Sequence, residues 1–98
     1  MSGSNTGGWT EPKNITTDYN EAQALVSCFL LKPQVEERMN DGKSFQTYKP
    51  FSYQYQLVNG YNYKILVDVG GGTLQVEVSC DFDLVPPKLT GTVWVTKK

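Results

Sequence analysis

Up to about residue 39 the apolar side chains recur at steps of three and four; from residue 51 onward they recur at every second position. The first pattern starts at Thr17 or Asp18, either of which suits an N-cap, and Asp18 with Glu21 has capping-box spacing. Tyr19, Ala22, Val26, Phe29 and Pro33 then make a stripe at helical spacing, widened by Leu25 and Leu30, with Gln23, Ser27 and Lys32 on other faces. One amphipathic helix of about 18–20 residues, ending near Met39, is predicted, with that stripe toward a sheet. Pro33 lacks a backbone donor and crowds the carbonyl of Phe29. Apolar positions resume at Val35 and Met39, so a bent continuous helix is expected rather than a break. Asn40-Asp41-Gly42 ends it.

The second pattern predicts strands. Phe51, Tyr53, Tyr55 and Leu57 alternate with Ser52, Gln54 and Gln56, which is how a half-buried antiparallel strand reads. Asn59-Gly60 is a tight-hairpin signal, because both central residues must accept positive φ. Tyr63, Ile65 and Val67 continue the alternation, with Leu66 on the opposite parity. Leu74, Val76 and Val78 repeat it after a Gly70-Gly71-Gly72 loop. Residues 81–88, with Pro86-Pro87, read as a connection, and residues 89–95 as a last strand. Helix followed by four antiparallel strands is an α+β domain with the helix laid across one sheet face. Residues 1–16 hold three glycines, a proline and few apolar residues, and are expected to be a mobile arm or an extended fifth strand. Trp9 is the exception there, a ring that needs somewhere to bury itself.

Composition removes several functions. Ninety-eight residues make one domain, 1–98, able to bury a core without metal or disulfide staples. Nine basic and ten acidic residues, dispersed along the chain, leave a net charge of −1, so neither nucleic acid nor an anionic membrane is an expected partner. The longest apolar run, about residues 24–31, is far short of the roughly 20 residues of a membrane span. Residues 1–8 are polar and glycine-rich, unlike a leader, so a cytoplasmic setting is expected and Cys28 and Cys80 should be free thiols. Asn14-Ile15-Thr16 matches a glycosylation acceptor but carries no weight in that setting.

No catalytic residues are expected. Histidine is absent, and neither cysteine has a neighbour that would lower its pKa. Two isolated cysteines make no metal site, and no cofactor is implied. Gly70-Gly71-Gly72 lacks the Lys-Ser/Thr of a phosphate loop and fits a hairpin tip instead. The pairs Glu36-Glu37 and Asp81/Asp83 read as ordinary surface carboxylates.

Gln56-Leu57-Val58-Asn59-Gly60 has the form Q-x-V-x-G. Around it stand Gly7-Gly8-Trp9-Thr10-Glu11, Lys32-Pro33-Gln34-Val35-Glu36-Glu37, Tyr61-Asn62-Tyr63 and Leu89-Thr90-Gly91. In order and approximate spacing, over nearly the whole chain, this resembles the stefins, the type 1 cystatins. The resemblance implies a four- or five-stranded antiparallel sheet wrapped around one long helix. It also implies reversible, competitive inhibition of papain-like cysteine proteases such as cathepsins. The implied wedge has three parts: the arm at Gly7, Gly8 and Trp9; a first hairpin at Gln56, Leu57, Val58, Asn59 and Gly60; and a second hairpin near residues 80–84. Stefins usually carry Leu-Pro in the second hairpin. Here Cys80-Asp81-Phe82-Asp83 stands instead, so Asp81 and Phe82 are the candidate contacts. A monomer is expected, with a domain-swapped dimer as the alternative. A non-inhibitory interaction scaffold on the same fold is the competing function, since folds are reused without their activity; a ligand carrier would need an internal cavity.

Overall fold

The computed structural model describes residues 8–14, 22–58, 60–81 and 86–97. Strand β1 (Lys13–Asn14) precedes helices α1 (Ala22–Leu30) and α2 (Lys32–Met39). Strands β2 (Lys49–Val58), β3 (Gly60–Asp68), β4 (Gly72–Asp81) and β5 (Lys88–Lys97) follow, in an antiparallel sheet ordered β1-β2-β3-β4-β5. The predicted α+β arrangement is present, and the N-terminal segment supplies the fifth strand.

The period-two residues fall where alternation places them. Tyr53, Ile65, Val76 and Thr92 lie side by side across four strands, as do Tyr55, Tyr63, Val78 and Leu89 one row further on. Ile65, Val67, Leu74, Val76 and Val78 are fully buried on this inner face. Phe51 departs from the prediction: it is exposed, while Ser52 is buried. A β-bulge between Pro50 and Ser52 shifts the register by one residue, which reverses the face of whatever precedes it.

The helical segment differs in two respects. It is interrupted at Leu31, so the bent continuous helix becomes two helices with Pro33 in the first turn of α2. The amides of Leu31 and Val35 still donate to the carbonyls of Ser27 and Leu31. The bond that proline cannot make would have gone to Phe29, and the chain breaks at that gap. The buried stripe is also rotated. Ala24, Ser27, Cys28, Leu31 and Val35 face the sheet, whereas Val26, Phe29 and Leu30 of the predicted stripe are half exposed or more. Small side chains on the helix let it approach a sheet face already filled by Ile65, Leu74 and Val76. The predicted N-cap at residues 17–18, and Tyr19 with it, lie outside the described residues.

Asp41 at φ +52° and Gly42 at φ +79° turn the chain after α2, as Asn40-Asp41-Gly42 foretold. Glu36 is buried rather than a surface carboxylate. Its Oε2 accepts from the Lys32 ammonium one turn back and from the amide of Phe45 at 2.9 Å, tying α2 to the loop that leads into β2. Both cysteines are free and buried.

Two expectations follow. Leu30→Lys should change the unfolding free energy by no more than about 0.5 kcal/mol, as for an exposed site. Ala24→Leu should cost about 1–3 kcal/mol by overpacking, with urea midpoints as the measurement. The second concerns acid. The Lys32 hydrogen bond, helped by the Phe45 amide, holds the Glu36 carboxyl below its ordinary value of 4.5. A depressed folded pKa stabilises the fold above pH 4.5 and loses that contribution as pH falls through the folded value. Glu36→Gln should therefore be less stable at neutral pH and show a flatter loss of stability below pH 4.5.

Candidate functional site

At one end of the sheet the chain reverses between β2 and β3. Val58 pairs with Gly60 rather than with Tyr61, so Gly60 is not a central residue of a two-residue Asn59-Gly60 turn and already belongs to β3. Its φ of +124° is the positive value expected. Gly60 also pairs with Asp81 of β4, and a Cβ there would stand 2.2 Å from the Cys80 carbonyl oxygen and 2.7 Å from the Asp81 Cα. Glycine is thus demanded first by the neighbouring strand, which closes against its bare α-carbon. The hairpin tip and the end of β4 are held together by this contact.

Leu57 and Val58, on opposite faces beside the tip, are 46% and 38% exposed. Apolar side chains this open at a loop tip gain from being covered by a partner. Behind them stand four tyrosines. Tyr55 and Tyr61 meet edge-on at 5.8 Å, and Tyr53 and Tyr63 continue the cluster with centroids 6.0–6.4 Å apart. Tyr63 donates to Gln23 of α1 at 2.7 Å, which anchors the hairpin base to the helix, and burial pushes its hydroxyl pKa up.

The arm reaches the same end. Trp9 forms a bridge with Gln56, the Thr10 amide donates to the Tyr55 carbonyl at 2.9 Å, and the Thr10 hydroxyl accepts from the Tyr55 amide at 3.1 Å. Gln54 Nε2 donates to the Thr10 carbonyl at 2.9 Å. Gly8, Trp9, Thr10, Tyr55 and Leu57 line a shared recess of about 320 Å³. Within 8–14, then, the arm is a strand-like edge laid along β2.

Of the candidate residues, Gly8, Trp9, Gln56, Leu57, Val58, Gly60 and Asp81 gather at this end, Gln56 being further tied by accepting from Asn62 Nδ2 at 2.8 Å. Asp81 is the last residue of β4 and exposed rather than part of the connection. Gly7, Asn59 and Phe82 lie outside the described residues. Thr10 and the tyrosine cluster were not foreseen as parts of the site. The tyrosines have a signal, the shared parity of Tyr53, Tyr55, Tyr61 and Tyr63 on the two sides of the turn; Thr10 has only its place in the Gly7–Glu11 motif, because its role exists only once the arm meets β2.

Neither thiol is poised for chemistry. Burial pushes Cys28 up to about 11, against a weaker opposing bond to Tyr48, and raises Cys80 as well, whose sulfur lies 3.2 Å from the Ser27 hydroxyl. Among the described residues no group of His, Cys, Asp and Glu could hold a metal, and no helix is long and apolar enough to cross a membrane.

Leukocyte cysteine proteinase inhibitor 1 of Sus scrofa is 36% identical over 88 residues, which span 87% of this chain and 79% of that protein. The chain belongs to the stefin family of cystatins. This stefin is also 33% identical over 88 residues to Cystatin-A1 of Sus scrofa, covering 79% of it. Against Cystatin-A of Mus musculus the identity is 38% over 66 residues, 67% of the stefin and 61% of the mouse protein. No protein-family model matches the chain. Membership in this family makes the stefin a protein that is not an enzyme.

The closure at Gly60 gives a direct test. Gly60→Ala should cost about 1–3 kcal/mol from the positive φ alone, plus the displacement of β4 from its tip. Gly71→Ala, with nothing within 4 Å of the new methyl, should stay within about 0.5 kcal/mol of the parent. Denaturant titration of the two variants measures the difference.

Proposed function

We propose that this stefin is a reversible, competitive inhibitor of papain-like cysteine proteases of the cathepsin type. It would act as a cytoplasmic monomer that blocks the active-site cleft with its arm, its first hairpin and the segment after β4. The reading rests above all on the arrangement of the Q-x-V-x-G segment. Its exposed Leu57 and Val58 stand at a tip that Gly60 locks to Asp81, with the arm bonded alongside. The names of the Sus scrofa and Mus musculus relatives point the same way.

In this mechanism the tip enters the cleft as a preformed unit. The tyrosine cluster and the Gly60 contact fix its geometry beforehand, which removes most of the ordering cost of binding. The arm fills the substrate-side subsites and departs from the cleft before a peptide bond reaches the catalytic thiolate, so nothing is cleaved. Asp81 and Phe82 carry the third contact. An interface of standard size, about 1,200–2,000 Å² in total, suffices for tight binding.

Titration of papain with the protein should abolish its activity reversibly and leave serine and metalloproteases untouched. Val58→Asp should keep the fold, since the side chain is open to solvent, yet weaken inhibition at least about tenfold, or 1.4 kcal/mol, by burying a carboxylate in the cleft. Papain activity unaffected by a large molar excess would refute the proposal in favour of a non-inhibitory scaffold.

A further inference from the structure

Trp9 needs a place for its ring, and the structure provides one on the outer face of the sheet. The indole of Trp9, opposite Gln56, is half-buried and helps line a shallow recess with Asn62, Glu77, Ser79 and Thr90. The Lys64 ammonium lies over the ring at 4.3 Å from its centroid, well inside the range of a cation–π contact.

The orientation of Lys64 is selective. Glu77 is its direct cross-strand partner on β4, the position from which an acidic side chain ordinarily pairs with a lysine. No ion pair joins the two among the described residues. Glu77 leans the other way, its Oε2 3.2 Å from the place a Cβ on Gly91 of β5 would occupy. The bare α-carbon of Gly91 gives the carboxylate room to turn from Lys64, and Lys64 is turned toward the arm.

We infer that Lys64 is a positioning residue for inhibition: its cation holds Trp9 against the sheet and so keeps the arm in register with the first hairpin. The inference rests on the inhibitor reading for its consequence, but the latch itself is a property of the free protein. Among the described residues the arm joins β2 through the Trp9–Gln56 bridge, the Thr10 bonds and the two residues of β1, a short edge pairing. A contact of roughly 0.5–1 kcal/mol is enough to shift such a pairing about two- to fivefold. A docked arm presents Gly8 beside Leu57 without a search, whereas a released arm must be ordered when the protease binds.

The test compares Lys64→Met, which keeps length and apolar contact but removes the charge, with Lys64→Arg, which keeps the cation. Hydrogen exchange of the Thr10 amide reads docking in the free protein, because that amide is bonded to the Tyr55 carbonyl only while the arm is docked. Stopped-flow dissociation from papain reads the consequence, and the urea midpoint checks the fold. Lys64→Met should lower Thr10 protection two- to fivefold and speed dissociation by a similar factor, with Lys64→Arg close to the parent in both. Unchanged Thr10 protection in Lys64→Met would overturn the latch. Lost protection with unchanged dissociation would overturn its role in inhibition. If the parent itself leaves papain fully active, the inhibitor reading fails, and the latch is judged by Thr10 protection alone.

Discussion

The backbone contact at Gly60 is the constraint on which the geometry of the hairpin end of the sheet depends. A hairpin projecting alone from a sheet would sample many geometries. Here its first residue past the reversal is pressed against Cys80 and Asp81 with no room for a methyl group. That closeness joins the tip to β4, sets Cys80 inward beneath Ser27, and leaves Asp81 exposed beside Leu57 and Val58. One residue without a side chain thus converts a loop into a fixed edge.

The remainder of the fold supports that edge from behind. The tyrosine cluster fills the inner face at the hairpin base, and the Tyr63–Gln23 bond carries the support to α1. Farther from the tip, Ala24, Cys28, Leu31 and Val35 seat the helices on a continuous apolar face. Glu36 closes the other end by binding Lys32 and the Phe45 amide. Rigidity at the tip is provided by buried contacts, and Leu57 and Val58 are left open there, as Val26, Phe29 and Leu30 are on the helix.

The strands were legible because a period of two leaves little ambiguity: Tyr63, Ile65 and Val67 could share only one face. The exposure of Phe51 is not legible in the sequence, because a bulge has no reliable composition signal. The helix was legible as a helix but not in its orientation. Residues 22–30 contain no charged side chain to mark the solvent face, so the large residues Val26, Phe29 and Leu30 appeared to be core. The sheet instead accepted the small residues Ala24, Ser27 and Cys28, a choice that depends on how full the opposing face is. Glu36 looked like a surface carboxylate for a similar reason, since its partners Lys32 and Phe45 come together only in three dimensions. At the candidate site, the chain reversal and the positive φ at Gly60 are legible from turn chemistry, whereas the joining of Thr10 to Tyr55 and of Trp9 to Lys64 arises from the arm meeting an edge strand.

The proposed inhibition sets the protease against one end of the sheet, built by the arm, the first hairpin and the end of β4. Amide chemical-shift mapping of the isotopically labelled protein against papain blocked at its thiol by a methyl group tests this most directly. Perturbations should concentrate at residues 8–10, 57–61 and 80–81, with the α1 face bearing Val26 and Leu30 unaffected. Perturbations centred on that helix face, or none at the hairpin tip, would contradict it.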